Sequence, residues 1–236
     1  MDQTIDLKLK KTGKVSAADR LLNAAGPLFA DRPFDAVSTR EIANAANVNL
    51  SAISYHFSSK EGLYEAVFKK LLDDLAPARQ GVSTFLKASI GPAKNNVHIQ
   101  REVIISFVDM FIEMITSDEN PRWRMRLVIR EIQQPGPCFD MVMEGHIDIV
   151  HDLIGQLVAC ITKQSPSSEN VIISSQTIIG MCLQYGLNEA LLSKRLGWTG
   201  FGSREIAIIK ENTSASILAL LGIGRSATKR ESENTL

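Results

Sequence analysis

Ser38-Thr39-Arg40-Glu41-Ile42-Ala43-Asn44-Ala45-Ala46-Asn47-Val48-Asn49-Leu50-Ser51-Ala52-Ile53-Ser54-Tyr55-His56-Phe57-Ser58-Ser59-Lys60 is the stretch on which the reading of this chain turns. Ser38 with Glu41 three residues on has the pattern of a capping box, so a helix starts there. Ile42, Ala43 and Ala46 form its buried stripe. Asn47 tolerates the left-handed conformation that ends a helix, which makes Asn47-Val48 a turn. A third short helix then covers about Leu50 to His56. Ile53 and Phe57, four apart, anchor it to a core, leaving Asn49, Ser51, Ser54, Tyr55 and His56 free to face outward. Two short helices joined by a tight turn make a helix-turn-helix, whose second helix enters a major groove while the first braces it. Short polar side chains reach base edges there, and Tyr, Ser and His bond phosphates. Lys60, opening the next helix, is placed for a backbone phosphate. A helical hairpin with a polar face and no nucleic-acid role fits the same pattern.

Outward from this stretch, nearly every periodic segment reads as helix and no strand-like alternation occurs, so the chain is all-α. Upstream, Ser16 and Asp19 start a helix whose apolar face is Leu21, Leu22, Ala25, Leu28 and Phe29. Gly26-Pro27 predicts a bend within it. Downstream, Leu63, Val67, Leu71 and Leu75 recur at intervals of four, and Pro77 ends or bends that helix. Gly91-Pro92 and Asn95-Asn96 mark residues 87–98 as a loop. A helix over 101–115 follows, with Glu102, Asp109 and Glu113 opposite its apolar side. Asn120-Pro121 opens another, to about Gln134. Pro135-Gly136-Pro137 breaks the chain before a long helix to about Lys163, and residues 164–170 are a polar loop. Residues 171–193 are apolar almost all round, with Gly180 and Gly186 set in the run. Residues 205–221 carry a stripe of Ile206, Ile209, Thr213, Ile217 and Leu220.

The expected organisation is an arm at 1–14, a helix-turn-helix domain at 15–60 and a connecting helix at 61–86. A helical domain for ligand binding and dimerisation follows at 87–224, with a disordered tail at 225–236.

Composition sets outer limits. Of the 236 residues, 44% are hydrophobic and 22% charged, with 26 basic against 26 acidic side chains, so nucleic-acid binding has to come from a local patch. Residues 1–60 hold eight Lys and Arg against six Asp and Glu, a surplus too small to argue for DNA. Cys138, Cys160 and Cys182 lie far apart, which disfavours a disulfide framework or a zinc site. His146 and His151, five apart, fall on different sides of a helix and offer no metal-ligand spacing. No cofactor is implied. Neither a membrane-length apolar run nor the apolar core of a secretion signal is present, and the expected compartment is the cytoplasm.

The stretch from Arg20 to Tyr64 resembles the N-terminal domain of the TetR family of transcriptional regulators. The matching residues are Ala25, Leu28-Phe29-Ala30, Phe34-Asp35, residues 38–43, Ala46, Val48-Asn49 and residues 53–64; the Tyr55-His56-Phe57 segment with Lys60-Glu61 and Leu63 is the specific part. Asn47 stands where that family usually has a turn glycine, and Ser54 where it more often has tyrosine. The resemblance implies a homodimer on a near-palindromic double-stranded operator, with a separate ligand-sensing domain. It also implies DNA contacts by Thr39, Arg40, Asn49, Leu50, Ser51, Ala52, Ser54, Tyr55, His56 and Lys60. Residues 49–57, with Arg130-Glu131, Pro135 and Gly197-Trp198, resemble the CecR-like subgroup.

The Met-, Ile- and Leu-rich region 101–222 suits a pocket between helices for a small-molecule effector. Its candidate lining is Phe107, Phe111, Trp123, Arg130, His146, Met181 and Tyr185, all of which also suit plain core packing. The helix at 171–193, with 205–221, suits a four-helix dimer interface. An enzyme built on the same bundle would need a nucleophile–base pair, paired carboxylates or metal ligands, and none stands at useful spacing. A DNA-organising protein without ligand control would have no use for the long C-terminal region.

Overall fold

The computed structural model describes residues 15–117 and 121–223. Among these there is no strand. The expected arm and tail, and Asn120, lie outside the described residues. The chain divides into two compact units at Val67–Phe68.

The first unit opens with α1 (Ala17–Asp31), capped by the Ser16 hydroxyl accepting the Asp19 amide at 3.0 Å. The helix passes through Pro27 unbroken. A 3-10 turn (Phe34–Ala36) leads to α2 (Thr39–Ala45), where Ser38 accepts the Glu41 amide at 3.2 Å. Glu41 does not close the box onto Ser38; its carboxylate pairs with Arg32 and ties α2 to the end of α1. Asn47 adopts φ 51°, and the Val48 amide reaches back to the Ala43 carbonyl at 3.0 Å, closing the helix as the sequence predicts. Then comes α3 (Ser51–Phe57).

Helix α4 (Lys60–Ala93) begins in the first unit and continues into the second. It corrects two expectations. Pro77 does not end it, and residues 87–93 are helix rather than loop; only 94–96 separate it from α5 (Val97–Thr116). A proline inside a helix costs about 3 kcal/mol. Burial of Leu71, Leu72 and Leu86, each worth roughly 1.5–3 kcal/mol, offsets that. The last turn is held because Ala93 is fully buried and its carbonyl accepts the Gln100 side-chain amide at 2.9 Å.

In the second unit, α5 sits among α9 (Glu169–Leu187) and α11 (Ser203–Leu220), while α8 (Asp148–Thr162) packs on α9. α6 (Arg122–Gln133) ends at Pro135-Gly136-Pro137, as expected. That turn is pinned by the buried Glu131 carboxylate, which accepts the Cys138 amide at 2.8 Å.

The expected long helix to Lys163 is α7 (Phe139–Val142), a π-helical turn (Met143–Ile147) and α8. Lys163, at φ 58°, stops it. The expected single helix over 171–193 is divided: Asn188, at φ −120° and ψ 25°, leaves helical geometry and separates α9 from α10 (Glu189–Leu196). Asparagine bonds its own backbone readily, which favours helix ends over interiors.

Of the 205–221 stripe, Ile209, Thr213 and Ile217 are buried, whereas Leu220 is exposed. Cys138 and Cys182 are buried and no cysteine is bridged; burial pushes the Cys182 thiol up to about 12.

Candidate nucleic-acid interface and effector cavity

The first unit is built so that α3 shows its polar side to solvent. Ile53 is buried against α1 and α2, together with Leu21, Ala25, Ile42 and Ala46. Phe29, Phe34 and Tyr64 form one aromatic cluster with ring centroids 4.8–5.8 Å apart. Lys60 lies over Phe34, its Nζ 4.1 Å from the ring centre.

The turn from α3 into α4 has two features that give its sequence a reason. Ser58 takes φ 65°, and Ser59 Oγ accepts the Gly62 amide at 3.1 Å. Gly62 then lies so near the end of α3 that a Cβ would stand 2.1 Å from the Phe57 carbonyl oxygen. Only glycine allows that approach. The Glu61 carboxyl is held below the ordinary carboxylate range, first by its own backbone amide and then by the Ser59 hydroxyl.

Of the ten predicted DNA contacts, Arg40, Asn49, Leu50, Ser51, Ser54, Tyr55 and His56 are exposed, and Thr39, Ala52 and Lys60 half-buried. Tyr55 is 84% exposed, a value no packing role explains. Asn49, Ser51, Ala52, Tyr55 and His56 line one open polar cleft, whereas Thr39, Arg40, Leu50, Ser54 and Lys60 lie outside it. Three polar residues outside the predicted contact set share the cleft: Arg20 from α1, Asn44 from α2 and Asn47 from the turn. Their spacing gives no signal, because the packing of α1 on α3 is what brings Arg20 there.

In the second unit a cavity of about 140 Å³ is enclosed by α4, α5, α6, the π turn, α8 and α9. Phe107, Phe111 and His146 line it as predicted. Trp123, Arg130, Met181 and Tyr185 do not. Trp123 stands beside the Arg124 guanidinium, 5.8 Å from its ring centre. Tyr185 accepts a 3.2 Å hydrogen bond from Thr213 and joins α9 to α11. Met181 packs on the core. Arg130 is half-buried on α6, away from the cavity.

His146 and His151 both line the cavity, as do Ile147, Val150, Leu153 and Ile154 from the same stretch. Gly186 proves to be an intramolecular packing residue, because a Cβ there would meet the Met125 Cε at 2.4 Å.

Arg79 Nη1 is 3.2 Å from His146 Nδ1. Burial, and then the Arg79 charge, bring the imidazole down to about 4, so it is neutral at pH 7 and Nδ1 accepts the guanidinium hydrogen. Arg124 pairs with Asp74 at 2.6 Å, and Arg122 pairs with Glu189.

An outward-facing short helix braced by a second across a tight turn defines the class: a helix-turn-helix DNA-binding protein. Residues 21–67 match the model of the bacterial regulatory proteins of the tetR family, and residues 100–222 that of the C-terminal domain of the HTH-type transcriptional dual regulator CecR. The chain belongs to the TetR family of DNA-binding transcriptional regulators, to its CecR-like type.

It is 28% identical over 211 residues to the HTH-type transcriptional dual regulator CecR of Shigella flexneri, covering 89% of this chain and 93% of that protein. The HTH-type transcriptional repressor KstR2 of Rhodococcus jostii is 38% identical over 64 residues, 27% of this chain and 31% of that protein. The solved structure of AibR with isovaleryl coenzyme A and operator DNA shares the fold, with TM-score 0.56 at 14% identity over 86% of this chain and 98% of that one. The family and these relatives are transcriptional regulators, not enzymes, and the family acts as dimers. No helix of the described residues is long and apolar enough to cross a membrane.

Proposed function

We propose that this protein is an effector-controlled repressor. It binds a near-palindromic operator as a homodimer and leaves it when a small molecule enters the cavity of the second unit. The observation that carries this reading is that one chain holds both an exposed polar α3, seated by buried Ile53, and a separate apolar cavity. A purely architectural DNA protein has no use for the second. AibR, whose structure holds both a ligand and operator DNA, and the repressor KstR2 are related precedents.

Thr39, Arg40, Asn49, Leu50, Ser51, Ala52, Ser54, Tyr55, His56 and Lys60 make the DNA contacts. Arg20, Asn44 and Asn47 join them at the cleft edge. The dimer forms through α9 and α11. Ile173 at 63% exposure, with Gln176, Thr177, Gly180 and Gln184, makes one uncovered face of α9. Gly180 has nothing near the place of its missing side chain, which leaves room for a second helix to approach closely. Glu211, Ala215, Ser216 and Ala219 make the matching exposed face of α11. Working on genomic DNA, the protein resides in the cytoplasm.

Genomic footprinting, followed by anisotropy on the enriched sequence, tests the proposal. Two subunits should bind each near-palindrome, with half-sites about one helical turn apart or more. Full-affinity binding of a monomer to a single half-site would contradict it.

A further inference from the structure

The cavity of the second unit is lined unevenly in charge. Its wall is apolar, with Phe107, Phe111, Val128 and Ile154 among the lining, yet three arginines face it and no carboxylate does. Two of those arginines are neutralised locally, Arg124 by Asp74 and Arg122 by Glu189. The third is Arg79, half-buried on α4, whose partner among the described residues is the neutral ring of His146. A guanidinium beside an apolar hollow, bonded to an uncharged acceptor, retains most of its unmet capacity for an anion. A buried carboxylate without a partner would cost several kcal/mol, and a second cation would be repelled as well as desolvated. Size narrows the class further. About 140 Å³ is close to the volume that holds a benzene-sized guest.

Resting on the reading of this cavity as the effector site, we infer that the effector is a small organic acid. Its apolar body has about six to eight carbons, lies between Phe107, Phe111 and Ile154, and leaves its carboxylate on Arg79. The Arg79–His146 contact joins α4 to the π turn, so an acid that takes over the guanidinium changes the partner of the helix that also carries Lys60.

The test uses the full chain and three probes of one shape: benzoate, benzyl alcohol and benzylamine. Their binding is measured by ligand-observed NMR and calorimetry on the wild type, Arg79→Gln, Arg79→Lys and Ile154→Trp, each first checked for an unchanged melting profile. Benzoate should bind about tenfold or more tighter than the alcohol, a typical charge-assisted gain, and the amine weakest. Arg79→Gln should abolish that preference without changing alcohol binding, Arg79→Lys should keep part of it, and Ile154→Trp should exclude all three.

Equal binding of acid and alcohol, or a preference that survives Arg79→Gln, overturns the anion assignment while leaving the cavity as an effector site. Binding of all three unaffected by Ile154→Trp removes the cavity itself. Failure of every probe to bind at millimolar concentration also overturns the inference. Loss of operator binding in the footprinting experiment would instead strike the regulator reading, so the two failures are distinguishable.

Discussion

Asn47 and Ser58 take φ of 51° and 65°, the first closing α2 and the second ending α3. Asparagine pays little in the left-handed region and a β-branched residue pays much more. Asn47→Val should therefore lower stability by about 1–2 kcal/mol in urea denaturation, and Asn47→Gly should not. Lys60 is a different case, since its ammonium rests over Phe34 in the free protein. Lys60→Ala should flatten the salt dependence of DNA binding by about one unit of log–log slope, equally for all sequences, as loss of one phosphate contact does. An unchanged slope would leave Lys60 a packing residue only. At this scale the sequence was readable where chemistry is local: the Ser16 and Ser38 caps, the Asn47 turn and the polar side of α3. Gly62 was not readable, because its need comes from the Phe57 carbonyl across the turn.

At the scale of elements, helix ends set by side-chain caps were legible, and helix continuity was not. Pro77 and Gly91-Pro92 are breakers in isolation, but the buried face of Leu71, Leu72, Leu86 and Ala93 carries α4 past them. The π turn has no distinctive composition, so its presence could not be read. Three of the seven proposed residues line the cavity; it is assembled from six elements, and apolar periodicity does not distinguish lining from core.

The burial of His146 beside Arg79 has a measurable consequence. His146 is held at about 4 in the fold, below its unfolded value near 6.5, so the unfolded chain binds more protons between these values. Stability should be level above about pH 6.5 and fall by roughly 3 kcal/mol as pH drops toward 4. Arg79 from α4 is the charged group facing the ring, and Glu144 and Asp148 on its own stretch are exposed. His146→Gln should lessen that slope in thermal melts; an identical slope would assign it elsewhere. On α9, Ile173→Glu places a charge on the exposed face without touching the monomer core. It should yield a folded monomer by sedimentation, and an unaltered dimer would remove this face from the interface.

At the scale of the whole molecule, α4 is, among the described residues, the one helix that belongs to both units, beginning at Lys60 and carrying Arg79. An effector that binds the operator-free state better by about 1–3 kcal/mol changes operator affinity roughly 5- to 150-fold. By reciprocity, operator DNA must weaken effector binding by the same factor. The central claim is sequence-specific DNA binding by α3, and Tyr55, at 84% exposure, is the residue that separates recognition from folding. The direct measurement is anisotropy of the footprinted operator and a scrambled duplex at fixed salt, with wild type and Tyr55→Ala of matched melting temperature. Specific binding by the wild type is expected, with at least about a tenfold loss for the variant on the operator alone. Equal affinity of the two proteins for the operator, or of the wild type for the two duplexes, would contradict it.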